Sequence, residues 1–269
     1  MYTVYRQCDP NKTELIAKSF HPGSNEPDIL KYLHSKPSPS SHIISFIEIT
    51  PTITGSGWLI LPKMHTLCNS WLINSRGVCG REQLGWGLVK GLAYLHEHNI
   101  THRDIKPDNL VCDDDFQLKI IDFDIAMEVK DENTEIAEYC GTEYWTAPEV
   151  GERDGPPPPM YSPIKADRWS CGHVIQSHIM AGNRDNCLSK FAGQLMANNP
   201  QQRPSLLEWH KLLSTSFSDV SHILKNGKKD ISPDSPPLPD MVEVDKKSIK
   251  LPDPKRPRLA RGDQEPQGP

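Results

Sequence analysis

No stretch of this sequence is long and apolar enough to read as a membrane span. The nearest, "HIISFIEITPTITGSGWLILP" (42–62), is broken by Glu48, Pro51, Gly55 and Gly57. It falls into two pieces of strand length, whereas a span needs roughly 20 apolar residues in a row. The first residues, "MYTVYRQCDPNK", do not read as a secretory leader, because no apolar core follows a basic start. An excess of positive charge is also lacking: 35 acidic against 30 basic residues leave a net charge of −5. No overall field would therefore hold nucleic acid or an anionic membrane. The 7 cysteines include no C-x-x-C pair. That argues against a disulfide framework or a zinc site, and for a reducing cytosolic or nuclear compartment. His98, His173 and His178 have no metal-ligand spacing with carboxylates. The expectation is a soluble monomer that binds neither nucleic acid nor membrane.

What is present divides into three parts. Residues 1–64 are rich in β-branched residues with turn punctuation: "YTVYRQC" and "ELIAKSF" read as strands joined by "DPNKT". "HIISFIEI" and "WLILP" read as a second pair of strands. Between the pairs, "SNEPDILKYLHS" (24–35) places Ile29, Leu30 and Leu33 at helical spacing, with Ser24 as N-cap. From 65 to 215 the pattern turns helical. "REQLGWGLVKGLAYLHEH" (81–98) sets Leu84, Leu88, Leu92 and Leu95 on one stripe, and "DRWSCGHVIQSHIM" (167–180) is apolar nearly all round, as a buried helix is. "NCLSKFAGQLMANNP" and "PSLLEWHKLL" follow as further helices. Residues 216–269 are proline-rich, charged and short of aromatics, the composition of a disordered tail.

Chemistry concentrates in "THRDIKPDNL" (101–110) and "KIIDFDIAM" (119–127). Phosphoryl transfer needs a carboxylate to orient the attacking hydroxyl, oxygen ligands for magnesium, and a cation for the phosphates. Asp104 supplies a carboxylate, Lys106 a cation two residues on, and Asn109 an amide oxygen. Asp122 ends a short apolar run that reads as a buried strand, which places a second carboxylate at the edge of the site.

These residues resemble the catalytic and metal-binding loops of the eukaryotic protein kinase family. Its other landmarks follow in order: "APE" at 147–149, "DRWSCG" at 167–172, and Arg203 in "NPQQRPS". The resemblance covers about 1–215 and implies an α+β, two-lobed fold, with a small strand-rich N-lobe (1–64, incomplete) and a helical C-lobe (65–215). It implies Asp104 as base, Lys106 as phosphoryl stabiliser, and Asn109 and Asp122 as ligands of Mg2+ beside ATP. A lysine two residues after the aspartate resembles serine/threonine-specific members. Glu149 is implied to pair with Arg203, and Asp167 to brace the catalytic loop.

In the N-lobe, Lys18 resembles the lysine that holds the α- and β-phosphates, and Glu26 its helix partner. Pro27 sets the helix start at Glu26 itself, on a looser tether. The same resemblance assigns Val4, Ala17 and Val111 to the nucleotide pocket and Leu61 to its back wall. Pro62 would offer a carbonyl, and Met64 an N–H, to the adenine ring.

Three departures stand out. The glycine-rich phosphate loop has no counterpart before Val4, so either a longer chain supplies it or the lid is lacking. Asp124 replaces a glycine, a position where aspartate tolerates left-handed backbone angles. Only "AGNRDN" follows the helix ending near Met180, so the C-lobe is short, as in divergent kinase-like proteins of some fungi. In the segment 124–149, Thr134 is a candidate phosphate acceptor and Thr142 a contact of Asp104. Glu132, Glu135 and Glu138 offer Arg103 a carboxylate without phosphorylation. The basic run "PKRPRLARG" (254–262) resembles a nuclear import signal. Two functions stay open: a protein kinase acting on a protein substrate, and a binding module (a pseudokinase) of the same shape. A small-molecule phosphotransferase of related fold would lack both the "APE" segment and its arginine.

Overall fold

Two strands open the chain, β1 (Tyr2–Val4) and β2 (Leu15–Phe20). The turn expected from "DPNKT" lies between them, where the Asp9 carboxylate accepts the backbone N–H groups of Asn11 and Thr13, each at 2.9 Å. With β3 (Glu48–Pro51) and β4 (Gly57–Pro62) they form an antiparallel sheet in the order β1–β2–β4–β3. The computed structural model describes residues 1–6, 9–53, 55–68 and 77–208, all within one compact unit, Met1–Lys225. The tail 216–269, its basic run and the end of "PSLLEWHKLL" lie outside the described residues.

Helix α1 (Glu26–His34) starts where Pro27 requires, with the proline in its first turn. Ile29, Leu30 and Leu33 are buried and join the main core together with Leu59 and Leu61 of β4. Asn25, not Ser24, occupies the N-cap, and no side chain caps the helix. The strand expected over 42–49 is shorter and later. Ile43 and Ile44 are buried against the opposite part of the molecule, where the Ile44 N–H donates to the Ile120 carbonyl at 3.1 Å. Two isoleucines with a fully apolar place to go there outweigh the strand pattern, and pairing with β4 resumes only at Glu48.

Beyond a short strand, β5 (His65–Thr66), helix α2 (Gly77–Glu97) carries the leucine stripe, and Leu84, Leu88, Leu92 and Leu95 are fully buried. Burying each such side chain is worth ~1.5–3 kcal/mol, so the stripe anchors this half of the fold. Helix α3 (Pro163–Val174) starts four residues before Asp167, with Ser162 accepting the Lys165 N–H and Pro163 in the first turn. It continues as a π-helical turn, Ile175–Ile179. Helix α4 (Cys187–Leu195) crosses α3 so closely that a Cβ on Gly172 would stand 2.5 Å from the Ala192 carbonyl oxygen. The whole is α+β, an antiparallel N-terminal sheet ahead of helices, consistent with a kinase fold.

Candidate active site

A small hairpin brings the two loops together. Strand β6 (Ile100–Thr101) leads into residues 102–109, and β7 (Leu110–Cys112) pairs with β8 (Leu118–Ile120). The register sets Leu110 opposite Ile120, and the Ile121 N–H donates to the Asn109 carbonyl at 3.0 Å. The loop before β7 and the loop after β8 therefore open at the same end of the hairpin. A further pair, β6 with β9 (Met127–Glu128), closes the second loop behind Asp122.

Asp167 holds the first loop from below. Its buried carboxylate accepts the N–H groups of His102 (2.7 Å) and Arg103 (2.8 Å) and the Thr101 hydroxyl (2.7 Å), with His96 at 3.3 Å. Burial opposes its ionisation, but the hydrogen bonds from His96 and Thr101 keep the carboxyl below the usual aspartate range. Arg103 and Asp122 both adopt left-handed backbone, φ 69° and φ 67°. Such conformations cost non-glycine residues about 1 kcal/mol or more and persist where surrounding contacts impose them.

Within that loop the side chains are interlocked. Asp104 accepts from the Thr142 hydroxyl (2.7 Å), the Lys106 ammonium (2.8 Å) and the Asn109 amide (2.9 Å). Lys106 also donates to the Thr142 hydroxyl at 2.6 Å, so one lysine spans the carboxylate and an alcohol already resting on it. The Asn109 amide nitrogen is engaged with Asp104, which leaves the amide oxygen as the atom suited to a cation.

Lys18 reaches this region from β2. Its ammonium lies 2.6 Å from Glu26, 2.6 Å from Asp122 and 3.1 Å from Asp124. Burial alone would pull the lysine down, but the carboxylates outweigh it and its pKa rises. The Glu26 tether is not loose: its carboxylate is buried, and its other oxygen accepts the Phe123 N–H at 3.1 Å. Phe123 is fully buried, edge-on to His102 at 5.0 Å. Asp124 does not adopt a left-handed conformation, so the residue that replaces glycine carries no backbone strain. Its carboxylate accepts from the Ser24 hydroxyl at 2.9 Å. Burial opposes ionisation of Asp124, yet Lys18 and Ser24 hold it below the ordinary range. Glu26, Asp122 and Asp124 bring carboxylate oxygens within 4.8 Å of one another, a set of hard oxygen donors.

Asp104, Lys106, Asn109, Asp122, Lys18 and Glu26 are thus brought together, while two pocket assignments need correction. Ala17 directly precedes Lys18 on β2, so its side chain points to the other face of the sheet. Val4 pairs with Leu15 and shares that other face. The residues on the face of Lys18 are Ile16, two positions earlier, and its partner Thr3. Counting by two from the lysine would have found Ile16. Leu61, paired with Ile16, is buried on the lysine's face, Val111 is buried on β7, and Met64 packs half-buried against the main core. Pro62 ends β4 opposite Leu15.

Nearby, Arg203 grips Glu149 with both terminal guanidinium nitrogens, as the resemblance implied. The Glu138 carboxylate accepts from the Arg103 guanidinium at 2.8 Å, whereas Glu132 pairs with Arg168. Thr134 sits in a turn with Asp131. Sequence reading missed Ser24 and Asn25 as contacts of this region; the Asn25 amide donates to the Ala126 carbonyl at 3.2 Å.

A family model described as protein kinase domain matches residues 24–185. Serine/threonine-protein kinase CST20 of Candida albicans is 33% identical over 157 residues, 55% of this chain and 12% of that protein. Serine/threonine-protein kinase chk1 of Schizosaccharomyces pombe is 29% identical over 143 residues, 52% of this chain and 27% of its own length. Nik-related protein kinase of Mus musculus is 40% identical over 85 residues, 32% of this chain and 6% of that protein. The chain spans about a quarter or less of the length of these relatives. With the matched segment covering more than half of its length and the loop geometry described above, the chain belongs to the protein kinase domain family.

Proposed function

We propose that this chain is a serine/threonine protein kinase that moves the γ-phosphate of ATP to a protein hydroxyl. The observation that carries the reading is Lys18, whose ammonium lies 2.6 Å from both the helix glutamate Glu26 and the loop aspartate Asp122. Phosphate anchor, helix and metal-binding loop are then in working register at once. Asp104 orients the acceptor alcohol and takes its proton, in the place where the Thr142 hydroxyl now rests. Lys106 neutralises the phosphoryl group in flight. Ile16, Thr3, Leu61 and Val111 line the nucleotide side, with Pro62 and Met64 beyond them. Asp122 and the Asn109 amide oxygen are the hard donors that would hold Mg2+, which when bound supplies charge neutralisation to the phosphates.

The division we propose is an N-lobe at 1–64, a C-lobe at 65–215 and a tail at 216–269. Among the described residues no helix is long and apolar enough to cross a membrane. A second reading, a binding module without transfer activity, is favoured by one feature: three carboxylates crowd the ammonium that the phosphates need.

Transfer of labelled phosphate to a generic basic protein separates the two. The wild-type chain should label it with MgATP, and Asp104→Asn should lower the rate about 100-fold or more, the usual worth of a positioned base. Equal signal from both proteins would remove the kinase reading.

A further inference from the structure

Asp124 is the departure that the kinase reading leaves without a task. Its neighbourhood is ordered by three consecutive residues at the start of helix α1, Ser24 to Glu26, each of which reaches the loop after β8. The Ser24 hydroxyl bonds Asp124 at 2.9 Å, the Asn25 amide bonds the Ala126 carbonyl at 3.2 Å, and Glu26 accepts the Phe123 N–H at 3.1 Å. Ser24 and Asn25 are types that ordinarily cap a helix, yet neither side chain caps α1. Their polar atoms are turned outward to the loop instead.

The Asp124 carboxylate is the hub. One oxygen takes the Ser24 hydroxyl and the other stands 3.1 Å from Lys18, so a single side chain joins the start of α1, strand β2 and its own loop. A glycine would make neither contact. We propose that Asp124 is a positioning residue, a latch that holds helix α1 and Lys18 against the metal-binding loop before nucleotide arrives. When Asp122 turns toward a cation, Lys18 keeps two carboxylate partners, Glu26 and Asp124, and stays aimed into the cleft. The latch is a property of the chain without ligand; its kinetic consequence rests on the kinase reading.

The test compares the full chain with Asp124→Gly, Asp124→Asn and Ser24→Ala, first by amide hydrogen exchange without nucleotide. Loss of the latch should speed exchange in residues 24–34 about five-fold or more in Asp124→Gly, leaving the amides of α2 unchanged. Asp124→Asn keeps an acceptor for Ser24 but loses the charge, and should fall between. Ser24→Ala, which removes one hydrogen bond, should move the same amides less. Exchange in 24–34 that does not change, or a rise spread equally over α2, overturns the latch.

The second readout is steady-state kinetics with MgATP. Asp124→Gly should raise KM for ATP about ten-fold while kcat changes less than about three-fold, because Lys18 is then aimed by Glu26 alone once Asp122 turns away and the Asp104 loop is not touched. An unchanged KM beside active wild-type protein also overturns the proposal. If exchange responds as expected and no variant, wild type included, transfers phosphate, the latch stands and the kinase reading falls.

Discussion

At the scale of single residues, the site is a matter of which charges are left without a partner. Arg203 is fully buried and makes a two-pronged contact with Glu149, beside a bond to the Lys165 carbonyl. Removing one member of such a pair strands the other, which costs more than the pair ever contributed. Arg203→Ala should therefore lower unfolding stability by about 3 kcal/mol, read from the denaturant midpoint. The double variant Arg203→Met, Glu149→Gln should recover most of the loss; equal destabilisation by both variants would mean that packing, not charge, dominates there. The loop residues were legible because their spacing is local: Asp104, Lys106 and Asn109 lie within six residues, and β7–β8 fixes their distance from Asp122. Ser24 was read as a cap because its real partner lies 100 residues away, where periodicity carries no signal.

At the scale of elements, face and register decide what a strand residue can touch. Lys18 is legible by pattern, but the resemblance sets Ala17 in the same pocket, and a neighbour on a strand must point away. The helix stripe in α2 was read correctly because four leucines at spacings of three and four leave only one face to bury. The segment 124–149 shows the other limit. Three glutamates competed for Arg103 in the sequence, and Glu138 makes the contact while Glu132 goes to Arg168. Glu138 is 70% exposed, so the pair is worth at most about 1 kcal/mol. Glu138→Ala should consequently lower kcat no more than about five-fold, measured in phosphate-free protein. A drop of a hundred-fold or more would show that this contact orders the whole segment.

At the scale of the whole molecule, the loop 102–109 hangs from a helix far from it in sequence, and Asp167 is the point of suspension. Its buried carboxylate gathers Thr101, His102 and Arg103 onto α3, and α3 in turn is pressed against α4 at Gly172. Because the folded carboxyl titrates below its ordinary value near 3.9, acid protonates it in the unfolded chain first. Its contribution is complete above about pH 4 and drains away as pH falls through that value toward the folded one. Other carboxylates also favour unfolding in acid, so the slope of wild type alone proves nothing. The difference does. Below about pH 4 the wild-type chain should lose stability faster than Asp167→Asn, by up to about 1.4 kcal/mol per pH unit for one proton. At neutral pH the order is reversed, since an amide cannot accept from three donors as a carboxylate does, and Asp167→Asn should be the less stable protein. Melting curves at pH 7 and down the acid series check both signs. Parallel curves would mean that α3 holds the loop through packing alone, and that the charge at Asp167 is incidental to the fold.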